Sequence, residues 1–489
     1  MSVAPVPASE IDAFDHEVDV LVVGFGCAGA AAAHAAATAG ASVTVLERAS
    51  GAGGSSAQSG GELYLGGGTT VQRACGFEDD ADNMFAYLSA ALGPHVDEEK
   101  LRLYCEGSVE HFEWFRACGV TFEESLYDAP TWMPPTTDGL MWLGENAWPY
   151  NELARAVPRG HRPATEGWAG HTLMTSLVDA ATAAGAGIHT DTRAKSLVVD
   201  EDGAVCGVVA RRFGNDVTYR ARGGVVLTTG GFVDNEAMLE HHAPTLLGHG
   251  KISDGLDDGS GIAMAAVLGA ATRRMDVVEA AYTALPAMVC RGMLVNGHGA
   301  RFINEDVYPG LWSHAALTQP GPCWVVLDEE GLESVPERDL MGVRPTHAAE
   351  TVEELEVDLA LPEGALAATI AAYNRHAAQR ADPLFHKDPR WLRPLVGPFA
   401  AVDPRLGFFA AGRPSAGAGS GFAGFTLGGL HTCPDGRVQS VDGTPIPGLF
   451  AAGRASSGMH GHGYISGTSL GDGTFFGRRA GRSAAFSGG

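Results

Sequence analysis

Apolar positions recur along the chain with two periods, and the changes from one to the other mark its elements. Val18-Asp-Val-Leu-Val-Val23 alternates and is rich in valine, which predicts a buried strand. Gly24-Phe-Gly26-Cys-Ala28-Gly29 follows at once, then an alanine-rich helix to about Gly40 and a second strand, Ser42-Val-Thr-Val-Leu46. From Phe77 to about Val120 the spacing is helical, with charged residues alternating around Phe85, Leu88, Leu92, Leu101 and Phe112. His171 to Ala184 predicts a further helix, and Ile188 to Val209 and Val217 to Thr229 read as successive strands. Asp254 to Gly261 opens a helix running to Leu268. Beyond about Arg273 the texture shifts to longer polar connections, with a helix from Glu363 to Arg380. Pro383 to Pro414, with six prolines, reads as linker and crossover. The chain then returns to a strand, Leu449-Phe-Ala-Ala-Gly453, a glycine-rich turn, and a short helix beginning near Ser469.

Strands alternating with helices at both ends predict an α/β, Rossmann-like (doubly wound) domain from residues 1–272 and 410–489. A second, α+β domain is expected at 273–409, inserted into the first. A length of 489 residues agrees with two domains. The net charge of −25 speaks against nucleic acid and anionic membrane surfaces as partners, since both require basic patches. The first 17 residues carry Glu10, Asp12, Asp15 and Glu17 but no lysine or arginine, so no secretory signal is expected. No apolar run reaches the roughly 18 residues of a membrane helix. The eight cysteines are scattered, none in Cys-x-x-Cys spacing, as free thiols of a reducing compartment would be. Together these predict a soluble, cytoplasmic protein.

The first strand, turn, helix and strand carry a complete dinucleotide fingerprint. Gly24 allows a tight turn, Gly26 lets backbone approach a pyrophosphate, and Gly29 lets helix and strand pack. Glu47, at the end of the second strand, is placed to accept from a ribose hydroxyl, with Arg48 beside it. Gly53-Gly-Ser55-Ser56-Ala-Gln-Ser59-Gly60-Gly61 continues the site as a loop of small and hydroxyl residues that can lie along a flat ring. Ala194, Gly230 in Thr-Thr-Gly230-Gly231, Asp258 before a helix start, and Gly453 extend the same binding edge. Asp258 is equally suited to capping that helix.

Near the C-terminus, Gly458-Met-His460-Gly-His462-Gly-Tyr464-Ile-Ser466-Gly-Thr-Ser469-Leu470 joins a strand to a helix. Such a turn leaves backbone N–H groups unpaired and presents a positive dipole end to an anionic ring edge. Three tryptophans, Trp132, Trp142 and Trp148, fall in one proline-rich stretch, either as a packed loop or as an apolar wall for a bulky substrate. His460 and His462 lack further ligands at metal-binding spacing, so no metal is expected. Tyr308, taken alone, reads more readily as core than as a catalytic residue.

Taken in order, these segments resemble the flavoprotein superfamily of fumarate reductases and succinate dehydrogenases. The match runs from Val18 to Gly481 and includes Gly-Gly-Ser-Ser, Thr-Thr-Gly-Gly-Phe, Asp-Gly-Ser-Gly, Arg-Phe-Ile-Asn-Glu and Ile-Pro-Gly-Leu-Phe-Ala-Ala-Gly. The resemblance implies FAD lying across the larger domain, with the inserted domain capping its ring. No histidine lies between Gly51 and Gly61, where covalently attached members carry theirs, so FAD is expected to be non-covalent. Fumarate reductases have His-Gly-Ala-Asn-Arg-Leu-Gly-Gly in the last motif. Here its arginine is missing, and burying a dianion without that cation is costly.

Gly-Tyr464-Ile-Ser466-Gly-Thr-Ser-Leu with an upstream Tyr308 is instead similar to the 3-ketosteroid Δ4-(5α)-dehydrogenases. That resemblance implies an apolar ketone substrate, such as a steroid, and an electron acceptor that the sequence does not name. Tyr464 is then expected to donate to the carbonyl oxygen and Ser466 to take the α proton. Tyr308 would relay that proton, and flavin N5 would take the β hydride. Ser469 and Leu470 would face the flavin. Two alternatives stay open: a Δ1-type ketosteroid dehydrogenase, and a reductase of an unsaturated acid served by Arg301, Arg413 or Arg454.

Overall fold

The computed structural model describes residues 4–406 and 420–487. Among the described residues the central sheet has nine strands. Among them are β1 (His16–Val23), β2 (Val43–Leu46), β3 (Thr192–Val199), β4 (Val205–Arg212) and β5 (Asn215–Leu227). Helix α1 (Cys27–Thr38) is the crossover between β1 and β2, which pair in parallel and so need such a connection. β5 runs parallel to β1, and the strand Pro445–Ala451 lies parallel to β5 on its other side. β4 pairs antiparallel with both β3 and β5.

The register of these strands creates the site. Leu46, Val23, Leu227 and Ala451 are neighbours across four parallel strands. The residues that follow each of them, Glu47, Gly24, Thr228 and Ala452, therefore leave the sheet along a single edge. Ligands of doubly wound sheets bind at that carboxyl edge.

β6 (Val278–Tyr282) and β7 (Phe422–Thr426) pair antiparallel in a separate small sheet. Helix α2 (Pro309–Leu317) packs against β6, and Ser313 Oγ accepts the Tyr282 N–H at 2.9 Å. A four-stranded antiparallel sheet is built from Met293–Val295, Trp324–Asp328, Phe399–Val402 and His347–Ala349, in that order. Its apolar face receives Leu366, Ile370 and Tyr373 of the helix Ala365–Ala377. The architecture is a Rossmann-like domain with an inserted α+β cap.

Three expectations are corrected here. Phe399–Val402, inside the proline-rich stretch read as a linker, is a strand of the cap sheet. Gly54–Ala57 is a helical turn and not a loop. The last helix, α3 (Thr468–Phe486), is 19 residues long and not short. Arg413 and the domain boundary expected at 409/410 lie outside the described residues. Among the described residues no helix is long and apolar enough to cross a membrane.

Candidate active site

An elongated cleft of about 1300 Å³, counting its open mouth, runs along the carboxyl edge of the large sheet. The nucleotide-type residues Gly24, Gly26, Ala28, Glu47, Arg48, Ser55, Ser56, Ser59, Ala194, Gly230 and Gly453 line it. Ser469, Leu470 and Tyr464 line it as well. Gly24 has φ +99°, and a Cβ there would lie 2.5 Å from the Thr228 carbonyl oxygen, so both conformation and space require glycine. Both oxygens of the buried Glu47 carboxylate accept backbone N–H groups, from Phe25 at 2.8 Å and Ala49 at 2.7 Å. This fixes the carboxylate at the end of β2, with a lone pair on each oxygen to spare. Ser56 Oγ accepts the Cys27 N–H at 3.2 Å, which ties the Gly-Gly-Ser-Ser turn to the start of α1.

Four expected cofactor residues sit outside the wall of the cleft. Gly29 is buried in the α1–β1 junction, where a Cβ would meet the Gly24 carbonyl oxygen at 2.1 Å. Gly60 abuts the Glu62 carboxylate, and Gly61 abuts the backbone of Ala169 and Gly170. Asp258 is turned to Arg48 at 2.7 Å and Arg193 at 3.3 Å, and its Oδ1 accepts the Ser260 N–H at 3.0 Å. Its neighbour Asp257 lines the cleft instead, buried and paired with Arg454 at 2.6 Å.

The substrate-facing end is set by the loop before α3. Gly461 and Gly463 press on the backbone ending the helix Ala81–Ala91, where a Cβ would lie 2.3 Å from the Pro94 carbonyl oxygen and 2.5 Å from that of Ala91. The Gly463 N–H donates to the Leu92 carbonyl at 2.7 Å. Asp472 of α3 accepts the Met459 N–H at 2.9 Å. The loop is thus held from both sides. Tyr464 emerges from it, stacked on His460 at 5.7 Å and met edge-on by Phe425 at 5.4 Å.

Two residues further on, Ser466 Oγ lies 2.8 Å from the hydroxyl of Tyr308, the residue capping α2. Sequence positions 158 apart therefore meet in one hydrogen bond. Tyr308 is fully buried, and neither it nor Ser466 forms part of the cleft wall. Burial, followed by the nearby Glu279 carboxylate, pushes both phenols well above the ordinary tyrosine range. Both stay protonated at neutral pH.

A family model described as an FAD binding domain matches residues 19–470. The chain belongs to that FAD-binding family. Among solved structures it is similar to the 3-ketosteroid-delta4-(5alpha)-dehydrogenase from Rhodococcus jostii RHA1 in complex with 4-androstene-3,17-dione. Identity is 47%, the match covers 98% of this chain and 99% of that one, and the TM-score is 0.92. It is 30% identical over 551 residues to 4-oxocyclohexanecarboxylate 2-dehydrogenase of Sinomonas cyclohexanicum, covering 96% of this chain and 92% of the relative. It is 29% identical over 479 residues to a probable fumarate reductase of Shewanella frigidimarina (strain NCIMB 400), covering 95% and 74%. The protein is an FAD-dependent oxidoreductase.

The cleft of this flavoprotein fits FAD on its own evidence. Three of its lining residues carry buried polar atoms with no hydrogen bond from the described residues: Glu62 Oε1, Thr229 Oγ1 and Arg454 Nη1. Such groups are costly unless a ligand satisfies them. Sequence reasoning missed Glu62, Asp257 and Thr229. Thr229 stands beside Gly230 in the Thr-Thr-Gly-Gly motif, but an acid directly after a Gly-Gly pair carries no signal of its own. The three tryptophans do not line the cleft. Trp132 donates to the Ala284 carbonyl at 2.8 Å, Trp142 to Asp128 at 2.7 Å, and Trp148 stacks on His386 at 4.1 Å. Arg301 is no available cation, because Glu305 at 2.6 Å and Asp382 at 2.9 Å hold it. His460 points its Nε2 at Thr468 Oγ1, 2.9 Å away, while His462 is exposed and 3.6 Å from Asp276.

Proposed function

We propose that this flavoprotein dehydrogenates a saturated 3-ketosteroid, forming a carbon–carbon double bond conjugated to the 3-keto group. The observation that carries this reading is the 2.8 Å contact between Tyr308 and Ser466 beside Tyr464, in a chain so similar to the Rhodococcus enzyme. Bound FAD supplies the acceptor for the hydride that leaves the β carbon, and it is held non-covalently.

The protein's own groups handle the carbonyl and the proton. Removing a proton α to a ketone builds negative charge on the oxygen, so the site needs a donor there and a base at the carbon. Tyr464 is the donor: it reaches the cleft, and its buried phenol keeps its proton. Ser466 takes the α proton. A serine hydroxyl is a poor base alone, and Tyr308 supports it by accepting the serine's own proton as the α proton arrives. A neutral ketone also agrees with the charges of the site, since Asp257 balances the charge of Arg454, and Glu305 and Asp382 hold Arg301.

Product analysis tests the reading. With a dye as electron acceptor, a saturated 3-ketosteroid is expected to give the 4-ene-3-one. The 1-ene would instead indicate Δ1-type chemistry, and turnover of an unsaturated acid alone would overturn the assignment.

A further inference from the structure

A second acid–base pair lies directly behind Tyr308. Glu279, on β6, is only 3% exposed, and its Oε2 sits 3.0 Å from Nε2 of His314 on α2. Its register partner across the small sheet is Phe425, the residue whose ring meets Tyr464. Gly310 marks where the two pairs converge. A Cβ there would lie 2.3 Å from Cε1 of Tyr308 and 2.9 Å from Oε1 of Glu279, so phenol edge and carboxylate border the same small space. The imidazole of His314 is 30% exposed. The carboxylate thus lies between the ring edge of a fully buried phenol and an imidazole that reaches the surface.

The chemistry needs such an exit. Tyr308 is buried, and a phenolate there is disfavoured first by desolvation and then by the Glu279 charge. It cannot store the consequence of a proton transfer, so each proton it accepts must displace its own. A carboxylate 3% exposed is otherwise expensive to keep, and among the described residues a single imidazole is its hydrogen-bond partner.

We infer that Glu279 and His314 are the proton-exit residues of the reaction, carrying the substrate's α proton from Tyr308 to solvent. This rests on the dehydrogenase reading above. The α C–H bond breaks, its electron pair becomes the new π bond, and the β hydride leaves to the oxidised flavin. The proton passes to Ser466 Oγ while the serine proton passes to Tyr308. The phenolic proton moves to the Glu279 carboxylate, which shares it with His314, and water removes it there. Neither residue touches substrate. They act through Tyr308.

The test compares FAD-loaded wild type, Glu279→Gln, Glu279→Asp and His314→Gln by anaerobic rapid mixing with a saturated 3-ketosteroid. Flavin bleaching and proton release to an indicator dye are followed together. Glu279→Gln is expected to slow both at least tenfold with steroid affinity unchanged, and Glu279→Asp to restore much of the rate. His314→Gln is expected to slow both severalfold, with added imidazole recovering the loss. A merely structural pair would not show the rescue by imidazole. If Glu279→Gln fails to hold flavin, the more exposed His314→Gln decides. Wild-type rates of bleaching and release in the variants that hold flavin overturn the relay alone. Failure of wild-type flavin to bleach overturns the dehydrogenase reading and the relay with it.

Discussion

Tyr464 and Tyr308 are both phenols kept neutral by burial, and their neighbours give them different work. Tyr464 borders the cleft as a donor, whereas Tyr308 is tied to Ser466 and faces Glu279. Removing one donor to a developing oxyanion costs on the order of 2.7–4 kcal/mol in the barrier. Tyr464→Phe is therefore expected to lower kcat at least about a hundredfold while changing KM little, as steady-state kinetics with a 3-ketosteroid would show. At this scale the sequence was informative where motifs are contiguous, as in Tyr464, Ser466 and the Gly24–Glu47 fingerprint. It was silent where function depends on side-chain direction. Asp257 and Asp258 are adjacent acids before one helix start, yet only Asp257 lines the cleft while Asp258 turns to Arg48 and Arg193. Glu279 and His314 come from a strand and a helix 35 positions apart, with nothing in either stretch to join them.

At the scale of elements, α1 and α3 show why one helix was read as short. Their contact is made by Gly473, Gly477 and Gly481, one every fourth residue, against Ala28 and Ala32. A helix packed through glycine has no large apolar stripe to announce its length. A Cβ at Gly477 would lie 2.5 Å from the Ala28 carbonyl oxygen, and at Gly481 2.1 Å from that of Ala32. Overpacking of this kind costs typically 1–3 kcal/mol. Gly477→Leu is expected to lower the Tm by several degrees and to weaken FAD retention, because it displaces the start of α1 at the cleft. Thermal melts with and without added FAD check both. Phe399–Val402 escaped notice for a related reason: four apolar residues among prolines are too few to establish a period.

At the scale of the molecule, pH acts through groups buried in the wrong charge state for water. Burial, then Arg274, pushes His460 down to about 3, and burial pushes His161 down to about 4. Their unfolded forms bind protons near 6.5, so the stability from neutral burial is present above that pH and is lost as pH falls through the folded values. Burial raises Asp472 to about 6 and Glu145 to about 7. These two favour the folded state at low pH and lose that contribution as pH rises through about 6 and 7. Between pH 7 and 4 the two sets oppose each other; below 4 the remaining histidine loss is joined by that of carboxylates held low by their partners, such as Asp19, which hydrogen bonds from Ser42 hold at about 2. The Tm is expected to change little from pH 7 to 5 and to fall steeply below 4, with a shallower fall in His460→Gln, as melting scans across pH would show.

The fold itself was legible because the strand–helix alternation and the glycine fingerprint are local, and the register of four parallel strands then sets the cleft. Which molecule the cleft serves is a property of the whole assembly, where loop, cap helix and cofactor edge meet. Anaerobic mixing of the oxidised flavoprotein with a saturated 3-ketosteroid addresses this most directly. The account predicts that the flavin absorbance bleaches in one turnover as a conjugated enone forms. A flavin that stays oxidised with every 3-ketosteroid, yet is reoxidised from the reduced state by an unsaturated acid, would contradict it.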